Sequence, residues 1–134
     1  MLIFSFLATI KSEGIEKNDS SREVVNEYFN SINKKDISKI NQIITDQDET
    51  NLLSSKLNYI DKITLKSLER ETNNSLLKSY TKYSKKSMDN IRIYKVKYKV
   101  DYTAPKNINS TYESWIYLCR DNHSSKWLID VFDM

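Results

Sequence analysis

The stretch IRIYKVKYKVDYT, residues 91–103, contains the clearest structural signal in this chain. From its fourth residue onward, aromatic or β-branched residues alternate with charged residues without a break. This pattern predicts a strand with one buried face, because successive side chains of a strand point to opposite sides of the sheet. Ile91 and Ile93 are out of phase with the alternation, which predicts a bulge near Ile93 and Tyr94. The stretch therefore predicts a long, bent strand in a curved sheet.

Two amphipathic helices are predicted ahead of this strand. Ser20 and Glu23 form a capping-box pattern, and the apolar stripe that follows predicts a helix over residues 21–32. Asp36 can cap a second, shorter helix that carries isoleucines on one face. A short helical turn is expected at about residues 51–57.

Three further strands are predicted around the first. Residues 59–71 alternate, while residues 75–83 fit either a short helix or an extended link. Residues 111–120 are apolar on both faces in their second half, which predicts a central strand. After a turn at residues 121–125, residues 127–134 form the last strand. Helices followed by strands predict an α+β fold, with N-terminal helices packed on a strongly bent, mostly antiparallel four-stranded sheet.

Composition limits the function classes. The chain has 134 residues, which suits one domain, and its net charge of +3 is too small for a dedicated nucleic-acid binder. One cysteine and one histidine exclude an intramolecular disulfide and a Cys/His metal site. We therefore expect no metal and no cofactor, and we expect Cys119 to be a buried small residue.

The N-terminus has the composition of an export signal. LIFSFLATI, residues 2–10, is too short for a membrane span of about 20 residues, but it has the length of a signal-peptide core of about 7–15. We expect residues 1–18 to be a leader and a polar linker, and residues 19–134 to be the domain. The alternative is an N-terminal strand or helix packed on the domain. The leader predicts an extracytoplasmic protein, secreted or on the cell surface, that contacts a membrane only through this segment.

The order of elements is familiar. EYFNSINKKDISKI at residues 27–40, followed by four strands and the closing WLIDV, resembles the nuclear transport factor 2-like superfamily, which has a cystatin-like cone fold. The resemblance covers residues 20–134 and implies a bent sheet wrapped around the long first helix. The chain looks most like uncharacterised extracytoplasmic members from Gram-positive bacteria. The resemblance also implies that an enzyme would use the interior of the cone, and that a homodimer could form through the sheet.

Candidate catalytic residues are few. Asp130 has apolar neighbours in the last strand. An apolar lining shifts the pKa of a carboxyl group, as acid–base catalysis requires. The alternative for Asp130 is a rim carboxylate paired with a lysine. His123 lies among polar residues in a turn, so we expect it to be exposed rather than catalytic.

Binding residues are suggested by the two faces of the strands. Five aromatic residues could line a ligand pocket or simply fill the core: Tyr94, Tyr98, Tyr102, Trp115 and Tyr117. On the charged face, Lys95, Lys97 and Lys99 form a basic row that suits an acidic partner, although a solvated sheet face explains it equally well.

Two hypotheses of function follow. The first, which we favour, is an exported or surface-associated, non-enzymatic interaction module. Its partner would be a protein or an anionic surface polymer. The alternative is a small-molecule-binding domain or an isomerase-like or cyclase-like enzyme that uses the interior of the cone, with Asp130 as its acid.

Overall fold

The computed structural model describes residues 19–46, 53–103 and 108–132. The helices are α1 (Ser20–Lys34), α2 (Ile37–Ile43) and α3 (Asn74–Ser84), and the strands are β1 (Ile60–Arg70), β2 (Ile91–Tyr102), β3 (Asn109–Cys119) and β4 (Leu128–Phe132). Residues 53–57 are also helical, and Met88–Asn90 forms a 3₁₀ turn. The predicted leader and linker, residues 1–18, lie outside the described residues, as do the ends of two predicted elements at residues 51–52 and 133–134.

The four strands form one antiparallel meander in the order β1-β2-β3-β4. This confirms the predicted α+β fold and the central position of β3. The segment left open as helix or link is the helix α3, which Asn73 caps by accepting a hydrogen bond from the Leu76 backbone. The sheet therefore has one face covered by α1, here called the inner face, and an opposite outer face that α3 covers only in part.

The predicted bulge near Ile93 and Tyr94 is wrong. The pairing of β2 with β3 is unbroken from Ile91 to Asp101. Ile91 and Ile93 are buried on the outer face with Tyr80 of α3, whereas Tyr94 is buried on the inner face. The alternation changes phase here because the first half of β2 is buried on both faces of the sheet. No residue is inserted into the strand. The register shifts of the sheet lie in β1 and β4, and such bulges bend and twist a strand.

The main core lies between α1 and the inner face. At its centre Phe29 of α1 packs against Tyr28, Tyr98 and Phe132, with ring centroids 5.7–6.0 Å apart. Tilted and edge-on arrangements at these distances favour aromatic pairs beyond the area they bury. This cluster fills the middle of the cone and joins α1 to β2 and β4.

The predicted cap of α1 is also corrected. The N-cap residue is Asp19, and its carboxylate accepts hydrogen bonds from the backbone N–H and the hydroxyl of Ser21, at 2.9 and 2.6 Å. The same carboxylate lies 3.3 Å from the guanidinium of Arg92 in β2. Ser20 is exposed and is the first residue of the helix. Asp19 therefore both caps α1 and anchors it to the sheet. The predicted cap of α2 by Asp36 is confirmed.

The edges of the sheet are partly covered by the helical layer. The side-chain amide of Asn33 in α1 donates to the Ile63 carbonyl and accepts from the Ile63 N–H, both at 2.8 Å, as a neighbouring strand would. At the other edge, Ile44 bridges to Ile129 of β4, and the Thr45 N–H donates to the Ile129 carbonyl at 2.9 Å. These contacts hinder pairing with another chain, and they bring Thr45 beside Asp130.

Candidate functional site

The five predicted pocket aromatics do not share one pocket. Tyr94, Tyr98 and Tyr102 lie on the inner face of β2, while Trp115 and Tyr117 lie on β3 toward the outer face. Tyr94 is fully buried, and its hydroxyl is 2.8 Å from that of Ser21. The sheet itself separates the two groups of aromatic side chains.

Two of the predicted tyrosines do line an open cleft at the end of the inner face. The cleft has a volume of about 320 Å³. We call it the tyrosine cleft; its lining consists of Lys56, Tyr59, Ile60, Tyr98, Val100, Tyr102 and Tyr112. The strand register builds it, because Tyr112 lies opposite Tyr98 and Ile60 lies opposite Tyr102.

The rings of the tyrosine cleft are held in place by each other. Tyr98 is buried, and its ring centroid is 5.5 Å from that of Tyr112. The hydroxyls of Tyr102 and Tyr112 are 2.7 Å apart, so one donates to the other. Burial and this hydrogen bond raise the pKa of Tyr102 to about 12. Tyr102 is therefore harder to ionise than an ordinary tyrosine, which is itself neutral at physiological pH, and its hydroxyl keeps a proton for hydrogen bonding.

The mouth of the cleft is accessible to a ligand. Tyr59 is 66% exposed and Tyr112 is 39% exposed. Lys56 is also exposed, and among the described residues it is the only charged one in the lining. An aromatic wall with a few polar groups is the usual composition of a small-molecule site. The sequence pattern did not predict Tyr59 or Tyr112 as pocket residues, although Tyr112 has the same parity as the inward-facing Ile116 and Leu118.

Asp130 lies elsewhere, at the bulge of β4. Its neighbours Ile129 and Val131 pair with consecutive residues of β3, so Asp130 has no partner opposite it. Its carboxylate accepts hydrogen bonds from Thr45 Oγ1 at 2.7 Å and from Tyr80 Oη at 2.8 Å. Since Tyr80 belongs to α3 on the outer face, this carboxylate does not line the interior of the cone. Its hydrogen-bond partners are hydroxyl groups, not a lysine.

Tyr80 and Cys119, which lie beside Asp130, are both held in their neutral, protonated forms. Burial and the hydrogen bond to Asp130 raise the pKa of Tyr80, and burial together with the Asp130 charge raises the pKa of the Cys119 thiol. A thiol with a raised pKa is a poor nucleophile, because the thiolate is the reactive form. An adjoining surface cleft of about 510 Å³ includes Thr45, Cys119 and Asp130 in its lining. With both carboxylate oxygens engaged, the arrangement ties α3 and the segment that follows α2 to β4.

The comparisons with known proteins place the chain in a family. Residues 22–132 match the family described as a domain of unknown function, DUF4829. The chain belongs to this family. A solved structure of an uncharacterised protein with a cystatin-like fold from Caulobacter vibrioides is similar, with a TM-score of 0.56 and 13% identity over 85% of this chain and 84% of that one. At this identity the likeness shows the fold alone, and it confirms the cystatin-like prediction. The search of curated proteins gave no match.

The basic row lies on the uncovered part of the outer face of this DUF4829 domain. Lys95 is 3.7 Å from Glu113, and Lys99 is 3.7 Å from Asp101. Lys95 also lies 5.9 Å from the ring centroid of Trp115, which is 40% exposed. The acidic neighbours reduce the positive potential of the row, so the face presents mixed charge.

Three further features of the DUF4829 domain concern its histidine, metal ligands and membrane spans. His123 is exposed in the turn before β4, as expected. Within residues 19–46, 53–103 and 108–132, no group of three or more His, Cys, Asp or Glu side chains is placed to hold a metal ion. In the same residues, no helix has the length and apolar character that a membrane span needs.

Proposed function

We propose that this DUF4829 domain is an exported, non-enzymatic binding module and that the tyrosine cleft is its ligand site. The observation that carries the proposal is the open aromatic cleft around the hydrogen-bonded hydroxyls of Tyr102 and Tyr112. A volume of about 320 Å³ lies at the lower end of the range for small-molecule sites.

The cleft has the physical features of a preformed site. Its floor, Tyr98, packs against Phe29 and Phe132 of the core, and its wall, Tyr112, is fixed by the Tyr102 hydroxyl. Rigid side chains lose little conformational entropy when a ligand binds, so more of the contact energy appears as affinity. Exposed rings on such a rigid support are a common feature of binding surfaces.

The alternative, an isomerase-like or cyclase-like enzyme, has less support. It needs an acid–base group directed into the interior of the cone, and Asp130 instead bonds to Tyr80 and Thr45 on the other side. The tyrosine cleft has no carboxylate or imidazole in its described lining. Phenols and one lysine can hold a ligand there, and a binding role uses all of them.

The cleft is tested by replacing Tyr112 with alanine. This change removes one wall and the hydroxyl partner of Tyr102, so we expect at least about a fivefold loss of affinity for a ring. The probe is benzyl alcohol, and its binding is measured from the changes it causes in amide chemical shifts in two-dimensional NMR spectra. A millimolar dissociation constant is expected, because a ligand of eight heavy atoms offers little contact. The shifts should cluster at Tyr98, Tyr102 and Tyr112.

The matched control is Tyr83→Ala, which removes a tyrosine that is 72% exposed and lies outside the cleft. This variant should bind benzyl alcohol as the wild type does. Shifts scattered over the surface, or equal losses in the two variants, would contradict the assignment of the cleft.

Export is the second part of the proposal. It is supported by the leader-like residues 2–10 and by the polar residues that follow them. We further propose that the domain belongs to the nuclear transport factor 2-like superfamily, among extracytoplasmic proteins of Gram-positive bacteria. Fractionation of the source organism should recover the protein outside the cytoplasm, without residues 2–10. Recovery only from the cytosol with Met1 intact would contradict export and leave the tyrosine cleft unaffected.

A further inference from the structure

We infer that the tyrosine cleft takes a small ring-bearing ligand with an anionic group, and that Lys56 binds that group. The inference rests on the proposed function, since it names the ligand class of the same cleft. Lys56 is the only charged side chain in the described lining, and that lining contains no acid. The positive charge of Lys56 therefore favours anionic ligands over neutral or cationic ligands that carry the same ring.

The backbone of Lys56 is held in a defined position. It belongs to the helical residues 53–57, whose Leu53 and Leu57 are buried in the main core. The Tyr59 N–H donates to the Lys56 carbonyl at 2.9 Å, which joins this turn to the start of β1. The packed leucines therefore fix the backbone that carries Lys56 at the rim of the cleft.

The charge of Lys56 is available to a ligand. Among the described residues Lys56 forms no ion pair, and its side chain is exposed. Lys95 and Lys99, by contrast, lie close to acidic neighbours. An ammonium group without a carboxylate partner attracts an anion and repels a cation. This repulsion argues against a cationic ligand, which aromatic rings alone would otherwise attract.

The hydroxyl pair adds a donor for the same anion. One of the two hydroxyls of Tyr102 and Tyr112 donates to the other, and the second hydroxyl keeps a proton that can be donated to a ligand. A carboxylate at the rim would meet an ammonium group and a phenol, and hydrogen bonds to a charged acceptor are stronger than neutral ones. The ring of the ligand would lie against Tyr59 and Tyr98.

The experiment compares three probes that share one ring and differ in charge: benzoate, benzyl alcohol and benzylammonium. Their affinities for the intact domain are measured by NMR titration at low salt. We expect benzoate to bind about fivefold more tightly than benzyl alcohol, and benzylammonium to bind most weakly. The advantage of benzoate should shrink as the salt concentration rises, because salt screens an exposed ion pair.

Variants assign the effect to one side chain. Lys56→Gln should abolish the preference for benzoate over benzyl alcohol, because it removes the ammonium group and keeps a side chain of similar length. Lys78→Gln makes the same change in net charge on the exposed surface of α3 and should keep the preference.

The outcomes separate the two proposals. Equal binding of all three probes, tightest binding of benzylammonium, or a preference for benzoate that survives Lys56→Gln would each overturn the inference, while ring binding in the cleft would stand. Failure of every probe to bind would overturn the proposed function and the inference together.

Discussion

Replacing Phe29 with alanine is expected to lower the free energy of unfolding by about 3–5 kcal/mol. Phe29 is only 3% exposed, and its ring contacts Tyr28, Tyr98 and Phe132. Removal of the ring leaves a cavity whose walls belong to α1, β2 and β4, and three elements cannot move together to fill it. The cost therefore includes lost burial and unfilled volume.

Urea unfolding followed by circular dichroism measures this change. The control is Asn30→Ala at the next position of α1, where the side chain is exposed; its effect should stay within about 0.5 kcal/mol. A loss below about 1.5 kcal/mol for Phe29→Ala would mean that the aromatic cluster is not the centre of the core. Because Tyr98 is the floor of the tyrosine cleft, the variant should also weaken ring binding.

The fold could be predicted because its elements have strong periodic signals. Residues 94–102 alternate, and the apolar stripe of α1 repeats at helical spacing, so the four strands and the first two helices were predicted in their order, while the segment that forms α3 was left open as a helix or a link. The error at Ile93 has a physical cause. A bulge and a second buried face both change the phase of an alternating pattern, and only the position of α3 distinguishes them.

The site was harder to predict because it combines residues with weak local signals. Tyr98 and Tyr102 belong to a clear alternation, but Tyr112 lies among polar neighbours at the exposed end of β3. Lys56 and Tyr59 flank a short turn that has no periodicity of its own. Asp130 was misplaced for a different reason, since the bulge in β4 interrupts the strict alternation that the prediction assumed.

The arrangement of the core explains why the binding site lies at one end of the cone. The aromatic cluster around Phe29 fills the middle, and Tyr94 fills the region near the start of α1. At the other end, Tyr98 is the last buried ring before the exposed Tyr112 and Tyr59. The cleft thus begins where the packed core ends, and its floor has the rigidity of the core.

Replacing Asp19 with alanine is expected to cost about 2–4 kcal/mol. The carboxylate is the N-cap of α1, and it is mostly buried against Arg92 and Ser21. Its loss frees the backbone N–H and the hydroxyl of Ser21 at the helix start and leaves Arg92 without this partner. The control is Ser20→Ala, because the capping-box pattern assigned the cap to Ser20. That variant should change stability by less than about 0.5 kcal/mol, and a larger loss than for Asp19→Ala would restore Ser20 as the cap.

The pH dependence of stability provides a second test of Asp19. Burial raises its pKa, but hydrogen bonds from Ser21 and the charge of Arg92 outweigh burial and hold the pKa below the usual 3.8. The unfolded chain therefore binds the proton more readily, so this stabilisation is complete above about pH 5 and is lost as the pH falls through the folded-state pKa. The isosteric Asp19→Asn variant has no such titration. The stability difference between wild type and Asp19→Asn, measured by urea unfolding, should be constant from about pH 5 to 7 and shrink toward pH 2. A difference that grows on acidification would show that the pKa of Asp19 is raised in the folded state, and that burial outweighs the contacts with Ser21 and Arg92.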